Sequence, residues 1–339
     1  MLRSLALLVA AVAVSAAAGA QSPDPTGNQS GPQPTSETWP SRPIKFIVPF
    51  TAGSSSDAVA RVVGNKLGER LGQNFVIENR VGASGNLGSE AIARAEPDGY
   101  TIGLANTSTH AVAPSLSATL KYDPIKDFTA ISMLGDSPFV MAVYPGLAAK
   151  TVKELVSLAQ SKPRSLNYAS AGPASMSHLA AALFEKIANV EMVHVAYRGT
   201  GQSVIDLIGG RIEIVFATIP PSLQLIREGK IRVIAVTGAK RSDALPEAPS
   251  ISEAGFAGAE ASLWQAIVGP PQMPAAIVMR LNREIAAVLN DPPTHELLAT
   301  QGVEVEPSSP EQLVERIKAD IEKWRSVIRS AKIAAPQAP

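Results

Sequence analysis

Cysteine is absent from the 339 residues. That excludes disulfides, a thiol nucleophile, thiolate metal sites and the cysteine that carries a lipid anchor behind a signal. The four histidines, His110, His178, His194 and His295, stand at no metal-ligand spacing, and no G-x-S-x-G elbow presents a serine. Catalytic residues, metals and cofactors are therefore not expected, and the chain does not read as an enzyme. Charge of neither sign is in excess, with 30 basic and 30 acidic residues. A neutral chain without basic runs interleaved with aromatics has no field for polyanions, so nucleic acid is not an expected partner. Aromatics are also few, at five Tyr, eight Phe and three Trp, and Phe50 is the ring placed closest to the expected site. Past the N-terminus no run is apolar for long enough to span a membrane.

What is present starts with Met1-Leu2-Arg3, an apolar Leu/Ala/Val stretch and the small-residue triplet Ala18-Gly19-Ala20. This is the pattern of a secretory signal peptide, residues 1–20, cleaved near Ala20, and it sends the mature chain to the periplasm. Residues 21–38 are rich in Pro, Ser, Gly, Gln and Thr and hold no large apolar side chain. Such a segment buries too little surface to offset its ordering entropy, so a disordered linker is expected.

From Ile44 onward, short β-rich runs alternate with helical stretches, which predicts an α/β fold of parallel strands joined by crossover helices. Strands are expected at Ile44–Val48, Asn74–Asn79 and Thr101–Ala105, with helices at Ala58–Leu71 and Ser89–Ala95. A second series begins after Tyr144-Pro145-Gly146, with Thr151 and Glu154 at capping-box spacing. Its strands are Leu166–Ala169, Met192–Val195, Ile212–Phe216 and Ile231–Val236, alternating with helices at His178–Ala188, Gln202–Ile208 and Pro221–Glu228. A last strand, Leu263–Val268, precedes helices at Ala275–Leu289, Thr294–Thr300 and Glu311–Ile328. These helices lack strands for a third sheet and are expected to cover the first lobe. The expected division is lobe 1 from residues 39–135 plus 265–333, lobe 2 from 136–264, and a disordered tail at 334–339.

In parallel α/β sheets, ligands sit beyond the C-terminal ends of strands, where loops feed helix N-termini. After the first strand comes Pro49-Phe50-Thr51-Ala52-Gly53-Ser54-Ser55-Ser56-Asp57, small and rich in hydroxyls. Free N–H groups and the positive helix end suit a carboxylate there, while Ser56 or Asp57 can also simply cap the helix. Ser170-Ala171-Gly172-Pro173-Ala174-Ser175 mirrors this loop in the second series, so the two would face each other across a cleft. Asn106-Thr107-Ser108-Thr109-His110 and Ala217-Thr218 end two further strands, and Arg198 is a candidate bidentate partner for a carboxylate. Gly82-Ala83-Ser84-Gly85-Asn86-Leu87-Gly88 has G-x-x-G-x-x-G spacing rather than the dinucleotide G-x-G-x-x-G, and close packing of a turn accounts for its glycines.

Read in order, several motifs resemble one family. They include Trp39-Pro40-x-Arg42-Pro43-Ile44, Val48-Pro49-Phe50-x-Ala52-Gly53 with Asp57 and Arg61, Glu78-Asn79 and Pro97-Asp98-Gly99-Tyr100. Tyr122-Asp123-Pro124-x-x-Asp127-Phe128, Ser177-His178-Leu179, Leu207-x-Gly209-Gly210, Gly229-Lys230-Ile231-Arg232 and Pro249-x-Ile251-x-Glu253-Ala254-Gly255 continue the series. Together they span about residues 39 to 333 and are similar to the Bug receptors, the periplasmic solute-binding subunits of tripartite tricarboxylate transporters. The resemblance implies a type II periplasmic-binding-protein fold whose lobes close on a small carboxylate, and a monomer that hands its load to membrane permease subunits. It also implies a ligand site at Phe50, Thr51, Ala52, Gly53, Ser54, Ser55, Asp57, Thr107, Ser108, Ser170, Ala171, Gly172, Ser175 and Thr218, acting largely through backbone N–H groups and ordered water; Arg198 is a candidate by its position after a strand alone, where a structural or solvated ion pair accounts for it equally well. The chain departs from the family pattern at Ser54 and Ala174, where relatives often carry glycine. A sensory receptor for a carboxylate, or a hydrolase working in the same cleft, is the alternative the sequence leaves open.

Overall fold

The computed structural model describes residues 39–117, 119–197 and 200–334. The expected signal peptide, the linker 21–38, residues 335–339 of the expected tail and Arg198 lie outside the described residues. In chain order the first elements are β1 (Ile44–Val48), α1 (Ser55–Leu71), β2 (Phe75–Asn79), α2 (Asn86–Ala93) and β3 (Thr101–Asn106). A π-helical turn at Ser108–Val112 then leads into α3 (Ala113–Leu116) and β4 (Thr129–Asp136). Ser137 and Pro138 alone separate β4 from β5 (Phe139–Val143). After it come α4 (Val152–Ser161), β6 (Asn167–Ser170), α5 (Met176–Ala188), β7 (Val193–Ala196), α6 (Thr200–Ile208), β8 (Ile214–Thr218), α7 (Ile219–Arg227) and β9 (Arg232–Val236). Residues 237–264 return the chain to β10 (Gln265–Gly269), α8 (Ala275–Leu289), α9 (Pro292–Thr300), β11 (Glu304–Val305) and α10 (Pro310–Ser330).

Two sheets result, ordered β11-β4-β10-β3-β1-β2 and β7-β6-β8-β5-β9. The ladders β1–β2, β1–β3, β6–β7 and β6–β8 are parallel, a pairing that needs crossover connections, and helices supply them here. Both sheets are nevertheless mixed. β5 runs antiparallel to β8 and β9, and β10 runs antiparallel to β3 and β4. The reason is how each is entered. The chain leaves one sheet at the edge where its strands end and begins β5, or β10, at the corresponding edge of the other sheet, so the entering strand points the opposite way. The same crossings bring the loop edges of the two sheets together, and the crossing segments are tied to each other by Ser137 N to Leu263 O at 3.1 Å and Leu263 N to Ser137 O at 2.9 Å.

Local chemistry sets the helix ends. Ser54 caps α1 by accepting from Asp57 N, and Gly72 closes it at φ 68°, a left-handed value that costs glycine little. Thr151 accepts from Glu154 N at the start of α4, and Ser309 with Gln312 forms a full capping box on α10.

Three apolar clusters hold the layers. One face of the first sheet packs Phe46, Val48, Leu104 and Ile267 under α1 and α8, and the outer face of the second sheet packs Val140, Val215 and Leu207. The third cluster is continuous between the sheets: Ile92 and Met133 on one side, Phe184 and Phe216 on the other, joined by Trp264, Trp324 and Val327. α10 is the bridge. Its Asp320 accepts from the Trp264 indole N–H at 2.7 Å, and its Arg316 pairs with Asp136 at the end of β4.

Candidate functional site

The first loop is held by one buried carboxylate. Asp57, 3% exposed, accepts at Oδ2 from the Gly53 amide and from Arg61 Nε, both at 2.9 Å. Its Oδ1 accepts from Asn79 Nδ2 at 2.9 Å, and the same Nδ2 donates to Phe50 O at 3.0 Å. Burial alone would raise the Asp57 pKa. The hydrogen bonds from Arg61, Gly53 and Asn79 outweigh it and keep the carboxyl below its ordinary value. Gly53 sits at φ 80° with its amide turned inward to that carboxylate, a conformation a Cβ would disfavour. Ser54 needs no glycine, because its φ of −71° and ψ of 162° are ordinary for an N-cap.

Within this loop, then, Asp57, Gly53 N–H and the Ser54 hydroxyl serve the loop itself. Thr51, Ala52 and Ser55 are exposed at its tip, and Phe50 is half-buried against the first core. The amides of Ser55 and Ser56, in the first turn of α1, have no acceptor within the helix and point out of its positive end. A carboxylate fits such a position.

Glycines let neighbouring segments close on this loop. A Cβ on Gly88 would lie 2.7 Å from Pro49 Cα, and one on Gly85 would lie 3.2 Å from Phe50 and 2.7 Å from Thr109. The glycine-rich turn is thus a packing device beneath the loop.

The second loop is more tightly self-bonded. Ala171 N donates to Ser177 Oγ, Gly172 N to Ser170 Oγ, Ala174 N to His178 Nδ1 at 3.0 Å and Ser175 N to Gly172 O. Ser170 Oγ also meets His194 Nε2 at 2.7 Å, and Ser175 Oγ caps α5. Ala174 lies at φ 59°, a left-handed value that costs a residue with a Cβ about 1–2 kcal/mol, and the bond to His178 holds it there. His178 and His194 stack with ring centroids 3.8 Å apart. Burial, with His194 adding to it, lowers the His178 pKa to about 4, so the ring is neutral and Nδ1 remains an acceptor. Met176 and Ser177, in the first turn of α5 beside this loop, have amides without an acceptor in their own helix.

The remaining expected residues divide. Ser108 is half-exposed at the start of the π turn, and Thr218 is half-exposed at the N-cap of α7 with no side-chain cap bond. Thr107 is fully buried and works in the crossing, where its hydroxyl accepts from Trp264 N and donates to Ser262 O. Among the described residues, no hydrogen bond joins the two loops, and no group of three His, Asp or Glu side chains is placed to hold a metal. A cavity of about 470 Å³ lies instead beside α10 and β11, lined by Asp136, Arg241, Glu304 and Arg316 among others, and contains none of the loop residues. Sequence reasoning missed Asn79, His178 and His194 as site-building residues. Asn79 ends the strand beside the loop and His178 follows the second loop by three residues, and both lie in motifs of the family resemblance, which together with position were the available signals.

The chain as a whole is similar to known proteins. Residues 59–333 match the family model described as "Tripartite tricarboxylate transporter family receptor". The chain is similar to an R. palustris protein solved with adipate, at 35% identity and a TM-score of 0.74 over 88% of this chain and all of that one. It is similar to the periplasmic binding protein BugD, at 30% identity and TM-score 0.70 over 88% of this chain and 100% of BugD. It is also similar to MatC from Rhodopseudomonas palustris with bound malate, at 29% identity and TM-score 0.69 over 86% of this chain and 100% of MatC. The two-lobed architecture is the type II periplasmic-binding-protein fold.

Proposed function

The chain belongs to the tripartite tricarboxylate transporter receptor family, the Bug receptors, and from that premise we propose that it captures a small carboxylate between its lobes in the periplasm and delivers it to membrane permease subunits. The observation that carries this reading is the pair of strand-to-helix loops on facing sheet edges, one per lobe, each presenting the first turn of a helix. Two positive helix ends across a cleft suit a ligand with anionic or polar groups at both ends. Relatives solved with adipate and with malate support the same ligand class. In this reading the ligand contacts are the tip from Thr51 to Ser55, Ser108 and Thr218, together with the first-turn amides of α1 and α5. Asp57 and His178 act from behind as positioning residues.

Calorimetry of the purified mature protein against mono-, di- and aromatic carboxylates tests the proposal. Saturable binding of one class at micromolar concentration is the expected result. Heats of dilution alone across the whole panel would remove the carboxylate reading.

A further inference from the structure

Gln265 opens β10, one residue beyond the crossing segment. It is fully buried, and neither its Oε1 nor its Nε2 has a hydrogen-bond partner among the described residues. Burying both ends of an amide without partners is costly, and such a group calls for an explanation. Its nearest polar neighbours at the end of β3 are bonded elsewhere. Asn106, opposite it in the β3–β10 ladder, already accepts at Oδ1 from Thr109 N, and Thr107 is committed to Trp264 and Ser262.

The position of Gln265 is set by the ladders. Its partners, Asn106 and Gly135, lie at the ends of β3 and β4, so it stands on the loop edge of the first sheet. Strand alternation puts it on the face of Ile267, which packs with Val48, Leu104 and the α1 residues Val59 and Val63. It therefore shares a face and an edge with the start of α1. In the sheet only β3 separates β10 from β1, which sets the two strands roughly 10 Å apart. A four- to six-carbon acid with a hydrogen bond at each end spans that gap.

We propose that the Gln265 amide, together with the first turn of α5, reads the end of the ligand farthest from the α1 loop. Nε2 donates to a second carboxylate, and Oε1 accepts from a hydroxyl. The proposal rests on the carboxylate-binding reading above and narrows its ligand to dicarboxylates and hydroxycarboxylates, in preference to alkyl monocarboxylates of equal length.

Matched pairs test it: adipate against hexanoate, and malate against butyrate, titrated by calorimetry into wild type, Gln265→Met and Gln265→Leu. Wild type should prefer the first member of at least one pair. Both variants should lose about 10- to 100-fold in affinity for that member, keep their affinity for the monocarboxylate, and melt no lower than wild type without ligand. Variants that melt higher and keep the selectivity ratio would overturn the inference alone, making Gln265 a buried amide with no ligand role. A wild type that binds none of these acids would overturn the carboxylate reading and this inference with it.

Discussion

Asn79 donates one amide nitrogen to two acceptors, Asp57 Oδ1 at 2.9 Å and Phe50 O at 3.0 Å. The end of β2 thereby fixes both sides of the α1 loop, and the shape of the first jaw depends on residues that need not touch the ligand.

Asp57→Ala should cost about 1–3 kcal/mol of stability, because it leaves the Gly53 amide without its acceptor and takes one acceptor each from Asn79 and Arg61. Ligand affinity should fall further than stability alone accounts for, since Gly53 is then free to turn. Urea unfolding and calorimetry on one preparation separate the two effects. Unchanged affinity would show that the loop holds its shape without this carboxylate.

His178→Ala should cost about 1–2 kcal/mol by leaving the Ala174 amide unsatisfied, whereas His178→Asn, which keeps an acceptor near Nδ1, should recover most of it. The wild-type ring also links stability to acid. Its folded pKa of about 4 lies below the ordinary 6.5, so the fold takes up this proton less readily than the unfolded chain. The stability tied to the neutral ring is present above about pH 6.5 and is lost as pH falls toward 4. His178→Asn should flatten that acid limb in unfolding curves; an identical limb in the variant would assign it to other groups.

Glu304 carries the opposite sign. Burial first, with Asp136, Asp243 and Glu306 adding to it and a bond from Ser242 opposing it, raises its carboxyl to about 7. The folded chain holds this proton to higher pH than the unfolded one, so the stability involved is complete below about pH 4.5 and is lost as pH rises through 7. Ser242 belongs to the segment whose Leu245 and Ala248 pack on the second sheet, while Glu304 lies on β11 of the first. Glu304→Gln should make the protein about 1–2 kcal/mol less sensitive to a change from pH 5 to pH 8, after screening of this partly exposed group. Parallel pH profiles for variant and wild type would refute it.

Gly88→Ala should destabilise by about 1–3 kcal/mol, since its Cβ would meet Pro49 Cα and Arg80 O at 2.7 Å and neither backbone atom can rotate away. Because Pro49 opens the α1 loop, affinity should drop too. A variant with wild-type melting and binding would mean that α2 can shift as a unit.

Much of this architecture was legible in the chain. The alternating β and helical runs placed β1, α1, the βαβ part of each sheet and α8 within a few residues, and Thr151 with Glu154 announced the N-cap of α4 correctly. Local patterns carry that information because side-chain period and capping are local physics. The stretch Phe128–Val143 was expected to cross between the lobes, with the boundary at residues 135/136, but its division into two strands, β4 and β5, was not legible, since both are apolar runs. Nor was the internal bonding of the second loop. Hydroxyl-rich residues at a helix start suggest free amides, and only the fold reveals that Ser177, Ser170 and His178 already accept them. Gln265 escaped notice for a similar reason: a lone glutamine in a strand has no pattern, and its lack of partners is a property of three dimensions.

The apolar cluster that runs from Ile92 through Trp264 and Trp324 to Phe184 leaves no clean cut between the sheets. Heating should therefore produce a single calorimetric transition, with the van't Hoff and measured enthalpies in agreement. Neither half should be obtainable as a folded fragment, because each would expose the half of that cluster that α10 and Trp264 now cover.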